Sequence, residues 1–212
     1  MSKRQVFIKR ENGVKRNMIT RVFLFSFFLF TVLSLSYSCK KSYIPRPYGY
    51  YRVDLPEHKY RILDTLSLPY HFEYSDYAVI APRQKENEKY WLDIQYPMLN
   101  ASIHCSYKQI DNNLLELSED ARNFVYSAHS SQADAIGEPR FENPYEDVYA
   151  VLYDLRGNVA SPIQFVVTDS VRHFFRGALY FDNVPNKDSI APMLEYVRED
   201  IKYLLETFEW KK

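Results

Sequence analysis

The stretch IQFVVTDSVRHFFRGALYF, residues 163–181, decides the fold. Two runs rich in β-branched and aromatic residues, Ile163–Thr168 and His173–Phe181, flank a short polar break at Asp169-Ser170. Such runs with a turn signal between them predict a β-hairpin. Upstream, Val148–Leu155 is more continuously apolar, the signature of a strand covered on both faces. Further out, Leu92, Ile94 and Tyr96 alternate with Asp93 and Gln95, and Ile103, Cys105 and Tyr107 alternate with Ser102, His104 and Ser106. Period two predicts strands with one wet face. Tyr70–Tyr74 and Tyr77–Ala81 suit further short strands. The charged run RQKENEK, residues 83–89, predicts an exposed loop or hairpin tip between them.

Two amphipathic helices interrupt the strands. In the first, Leu114, Leu117, Ala121, Phe124 and Ala128 recur at steps of three and four, and Asp111 is expected to cap it. In the second, over residues 189–210, the stripe is Ile190, Leu194, Val197, Ile201, Leu204 and Phe208. Ser189 is its expected cap, with Pro192 in the first turn, where a missing N–H costs little. Glu195, Arg198, Glu199 and Lys202 occupy the other face. Segregated strands and helices predict an α+β fold, a mostly antiparallel β-sheet packed by two amphipathic helices. The order of elements resembles the Mog1/PsbP-like layout.

The N-terminus carries a targeting signal. Val22–Leu35 (VFLFSFFLFTVLSL) is apolar but short of the roughly 20 residues of a membrane span. Lys9, Arg10, Lys15, Arg16 and Arg21 precede it, as in a secretory signal; Met18 is an alternative start. The run ends at Ser36-Tyr37-Ser38-Cys39, small residues before a cysteine where the chain turns polar. This pattern suits a bacterial lipoprotein signal, residues 1–38, with Cys39 as the lipid acceptor. An ordinary signal with an incidental cysteine and an uncleaved anchor are the plainer readings. Lys40–Tyr51, with Pro45, Pro47 and Gly49, makes residues 39–51 an extended lipidated tether. Residues 52–212 then form a single globular domain, within the usual size range. With Cys39 lipidated, Cys105 has no internal disulfide partner.

The whole chain has 27 basic and 27 acidic residues. Removing residues 1–38, with seven Lys/Arg and one Glu, leaves 20 basic against 26 acidic, a net of −6. A mildly acidic domain without a basic run excludes nucleic acid as a natural partner, and membrane attachment falls to the lipid. Catalytic signatures are missing: there is no G-x-S-x-G, H-E-x-x-H, C-x-x-C or phosphate-binding glycine loop. His58, His71, His104, His129 and His173 fall on separate segments, so surface and capping roles are favoured over a metal site, which needs converging donors. No cofactor is expected. Cys105 reads as a small core side chain.

Gly157–Phe165 and Thr168-Asp169-Ser170 are polar breaks between apolar strands. Asn158 and Asp169 suit Asx-type turns. The sharper reading makes Asn158, Ser161, Gln164, Thr168, Asp169 and Ser170 a polar interaction surface. Nineteen tyrosines and fourteen phenylalanines suit sheet packing. Those at Tyr43, Tyr48, Tyr50 and Tyr51 lie in the tether, where a partner or the lipid interface would take them.

The stretches RPYGYYRVDLP (46–56), WLDIQYPMLNASIHCSYK (91–108), NNLLELSEDARNFVYSAHSSQADAI (112–136), YDLRGNVASPIQFVVTDS (153–170) and FRGALYFDNVPNKDSIAPMLEYVREDIKYLLETFEW (175–210) resemble the gliding-motility lipoprotein GldD family, in order along the mature chain. The resemblance implies a Bacteroidetes envelope lipoprotein, lipid-anchored at the outer membrane and facing the periplasm. It implies a non-catalytic accessory or assembly factor of the gliding motility and type IX secretion machinery, with envelope components of that machinery as partners. It implies no enzymatic activity and no cofactor, and it assigns the lipid to Cys39. The rival functions are an envelope ligand-binding module, for peptidoglycan or lipid, and an unrecognised hydrolase. An apolar cavity between sheet and helices would favour the former. A Ser or Asp within hydrogen-bond reach of His104, His129 or His173 in a cleft would favour the latter.

Overall fold

The computed structural model describes residues 21, 23–30, 54–63, 67–85, 88–129, 132–182 and 187–211. Cys39 and the tether of residues 40–51 lie outside them. The chain divides into two units, Met1–Pro47 and Tyr48–Lys212. In the first, residues 23–30 are helical and expose Phe23, Leu24, Phe25, Phe27, Phe28, Leu29 and Phe30. No helix among the described residues is long and apolar enough to cross a membrane.

The second unit is built around the hairpin. Strands β10 (Ile163–Thr168) and β11 (His173–Phe181) pair from Thr168↔Phe174 to Gln164↔Ala178. Asp169 closes the turn: its Oδ1 accepts from the backbone N–H groups of Val171, Arg172 and His173 at 2.8–3.0 Å. The Thr168 hydroxyl donates to the His173 carbonyl at 2.8 Å. Around this hairpin the antiparallel sheet has the order β4-β5-β6-β11-β10-β9-β7. The other members are β4 (Val79–Lys85), β5 (Glu88–Tyr96), β6 (Ala101–Gln109), β9 (Val148–Gly157) and β7 (Ala133–Gly137). β8 (Arg140–Asn143) continues beside β7 along the same edge of β9. Within the run 83–89, residues 83–85 and 88–89 are strand, with Lys85 paired to Glu88.

Alternation gives the sheet two different faces. One buries Leu92, Ile94, Ile103, Cys105, Leu152, Phe165, Val167, Phe175 and Leu179. Helix α2 (Lys187–Glu206) covers it with Val197, Ile201, Leu204 and Leu205. Gly177 lies on this face opposite Phe165. A Cβ there would stand 2.2 Å from the Phe165 ring, so the close approach itself requires glycine. Two small ladders complete the layer: β1 (Tyr60–Ile62) with β3 (Glu73–Ser75), and β2 (Tyr70–His71) with β12 (Glu209–Trp210).

The second face receives helix α1 (Leu114–His129). Leu117 and Ala121 pack on Phe174, and Val125 packs with Tyr153, Leu155 and Val159. Because Phe174 and Phe175 enter opposite cores, β11 is apolar without alternation.

Several boundaries depart from expectation. The second helix stops at Glu206: the Thr207 N–H makes the last i→i−4 bond, to the Tyr203 carbonyl at 3.0 Å, and the backbone after it pairs with β2 instead. Residues 209–210 are therefore strand, although Phe208 stays on the buried stripe at 1% exposed. The helix begins at Lys187, so Ser189 lies within its first turn and Pro192 inside it. α1 begins at Leu114, after Asn113, and the Asp111 N–H itself donates to Asn113 Oδ1. Its buried stripe turns from Ala121 to Val125, leaving Phe124 at 45% exposed.

Candidate functional site

α1 covers only the β9–β11 side of the second face. The outward positions of β4, β5 and β6 stay open beside it. Strand register sets two rows there. One runs Asp93↔His104↔Ala178↔Gln164, and the other places Ser106 opposite Arg176 and Arg83 opposite Trp91. Between these rows and Phe124 of α1 is a cleft of about 440 Å³, lined also by Tyr180 and the backbone side of Cys105.

At the β4–β6 end, Arg83, Asp93 and His104 form one network. Arg83 Nε donates to Asp93 Oδ2 at 3.3 Å, and its Nη2 donates to Oδ1. His104 Nδ1 lies 2.8 Å from Asp93 Oδ1 and 2.7 Å from Arg83 Nη2. That nitrogen stands between an acceptor and a donor, and its tautomer decides which one it serves. The Asp93 carboxylate thus already answers Arg83.

Arg176 is different. Its Nη2 donates to Gln164 Oε1 at 2.8 Å, and its guanidinium carbon lies 4.3 Å from the Phe124 ring centre. Among the described residues no carboxylate pairs with it. Burial pulls its pKa down from the ordinary arginine range, against the opposing influence of Tyr180 and Tyr153. Gln164 is 1% exposed, and its Nε2 is buried with no partner.

The network meets one geometric condition for a hydrolase, since Asp93 lies within hydrogen-bond reach of His104 in a cleft. It lacks the nucleophile. Ser106 is two residues along the strand from His104, roughly 7 Å away at strand rise, and no hydrogen bond joins the two side chains. The Cys105 thiol is buried in the core, which pushes its pKa well up, with Asp93 adding to the rise and Arg83 opposing it. Other histidines are held structurally. His58 Nδ1 lies 2.7 Å from the buried Asp200 carboxylate of α2, and His71 Nε2 lies 2.9 Å from Glu209. His173 Nδ1 is 2.6 Å from the Tyr107 hydroxyl. Among the described residues no cluster of His, Cys, Asp and Glu is arranged to hold a metal.

The six residues expected as one interaction surface do not come together. Asn158 and Ser161 lie at one end of β10, Thr168, Asp169 and Ser170 at the other. Ser161 is fully buried and its hydroxyl donates to the Ile163 carbonyl at 3.4 Å. Only Gln164 bears on the cleft, as the buried support of Arg176 behind its lining. The sequence reading named His104 as a possible base but passed over Arg83, Asp93 and Arg176 as site residues. One signal was present: Arg176 is a charge in the middle of an otherwise apolar strand.

Fold and cleft together define a class: an α+β domain on one antiparallel sheet, with an arginine-lined cleft on its second face. The family description "Gliding motility lipoprotein GldD" matches residues 40–210, and the chain belongs to that family. Membership associates it with the cell envelope and with gliding motility. The solution structure of cyanobacterial PsbP (CyanoP) from Synechocystis sp. PCC 6803 is similar, with a TM-score of 0.48 and 10% identity over 78% of this chain and 100% of that one. No curated protein matches the chain in sequence.

Proposed function

We propose that this protein is a non-catalytic accessory or assembly factor of the gliding motility and type IX secretion machinery. It acts from the periplasmic face of the outer membrane, held there by a lipid on Cys39. The observation that carries the reading is the family match over residues 40–210, which begins at the residue after Cys39. The geometry supports it in a second way: the acid–base pair in the cleft, Asp93 and His104, is tied to Arg83 and has no nucleophile hydrogen-bonded to it.

The test is capture from the native host. The full chain, tagged after Lys212 and expressed at its own level, is crosslinked in intact cells and purified in mild detergent. Enrichment of type IX secretion or gliding components over an untagged strain is the expected result. Recovery of no envelope component above that control would reject the assembly role.

A further inference from the structure

Arg176 is half-buried, fixed and without a counter-ion among the described residues. Its position is set from two elements at once. Gln164 on β10 takes one guanidinium N–H, and Phe124 on α1 packs against the guanidinium face. The Gln164 amide cannot be turned round, because its NH₂ would then meet a guanidinium N–H with no acceptor between them. In the arrangement that remains, Gln164 Nε2 is buried and unpaired. Leaving a buried donor unsatisfied is costly, and so is desolvating a cation. Both costs fall on the same pair, and both are incurred in holding Arg176 at the cleft.

The local charge runs against that of the chain. The mature sequence is net acidic, yet the cleft lining has Arg83 and Arg176 and no carboxylate, the nearest being Asp93, held by Arg83 and His104. Since Asp93 is engaged by Arg83, Arg176 is the uncompensated charge. A planar guanidinium fixed on one side offers its remaining N–H groups as a preorganised fork, the geometry that carboxylate and phosphate groups fit. The rest of the cleft suits a ring. Trp91, Phe124 and Tyr180 supply aromatic surface, and His104 and Ser106 supply hydrogen-bonding groups. A volume of about 440 Å³ lies within the range of small-molecule sites and has room for roughly two sugar rings.

We infer that this cleft binds an acidic saccharide, with Arg176 receiving its carboxylate or phosphate and the aromatic walls receiving the ring. The site stands independently of the assembly role: a factor of the secretion machinery keeps or lacks such a ligand without change to that reading.

The experiment is isothermal titration of the full chain in detergent with digalacturonate, maltose 1-phosphate and maltose. One of the two acidic saccharides should bind on the order of tenfold more tightly than maltose, the loss expected for one charge-assisted contact. Which of them binds tells carboxylate from phosphate. Arg176→Gln should remove the preference for the acid. Ser106→Leu, which leaves Arg176 and Gln164 in place and fills the floor, should weaken every ligand by a similar factor. Arg172→Gln, at the exposed turn, should change nothing. Near-UV circular dichroism checks that each variant is folded, and if Arg176→Gln fails that check, Ser106→Leu decides. Equal affinity for maltose and both acids would overturn the proposal. So would no binding of either acid, or unaltered binding in the folded variants.

Discussion

His173 lies at the start of β11 with its ring stacked on Trp210, centroids 4.9 Å apart, and Nδ1 at the Tyr107 hydroxyl. Burial lowers its pKa, Asp169 opposes that and Arg172 adds to it. The imidazole therefore takes a proton in the unfolded chain near its ordinary value of about 6.5, and in the folded chain only at lower pH. Between those values the unfolded state binds more protons, so stability rises with pH and falls on acidification through about pH 6.5. Denaturant midpoints measured from about pH 8 to 5 should show that fall, and His173→Gln should flatten it. Parallel curves for wild type and variant would refute the assignment. Asp169 acts in a separate window. Burial raises its pKa, but three backbone N–H donors outweigh this and hold it low. Its contribution is present above the ordinary carboxylate value, about 3.9, and is lost only as pH falls through the lower folded value. The Asp169 turn was legible in the sequence because every partner lies within four residues. The role of Arg176 was not, because it depends on Phe124 and Gln164, which only the tertiary structure brings to it.

Helix α2 covers the first sheet face with Val197, Ile201, Leu204 and Leu205. Ile201 is fully buried among Val197, Leu204 and Leu205. Ile201→Ala should lower the unfolding free energy by about 2–5 kcal/mol, through lost burial and the cavity left behind. Denaturant melts of the purified protein read this directly; a loss under about 1 kcal/mol, the range of surface substitutions, would mean the stripe is a docking face. This helix could be read because its apolar period is long and unbroken. β7 and β8 could not. Their sequences, ADAIG and RFEN, are short and largely exposed, and they become strands by pairing with β9 rather than by any pattern of their own. β12 was misread for a physical reason. Phe208 falls four residues after Leu204 and continues the helical period, while the chain leaves the helix after Glu206 to pair residues 209–210 with β2. Asp93 and His104 show the same limit at the site. Each was legible as a wet position on its strand, but only the register of β5 on β6 makes them neighbours.

At the scale of the whole molecule, the lipid proposed on Cys39 can be tested directly. Metabolic labelling with a palmitate analogue should mark the wild-type chain and fail to mark Cys39→Ala. Equal labelling of both would remove the lipid from the account. The domain itself closes through β12. β12 pairs with β2, the Lys211 N–H donates to the Pro69 carbonyl, and Trp210 packs against Phe208. A ribosome or a membrane channel delivers a chain from its N-terminus, so Tyr70 and His71 emerge long before their partners exist. Until Glu209 and Trp210 arrive, the aromatic layer of Tyr70, Phe72 and Phe175 has one side uncovered. Pairings so far apart in sequence form late. Delivery therefore sets the timing: β2 waits about 140 residues for its partner, and the aromatic layer is covered on that side only once residues 209–210 are out.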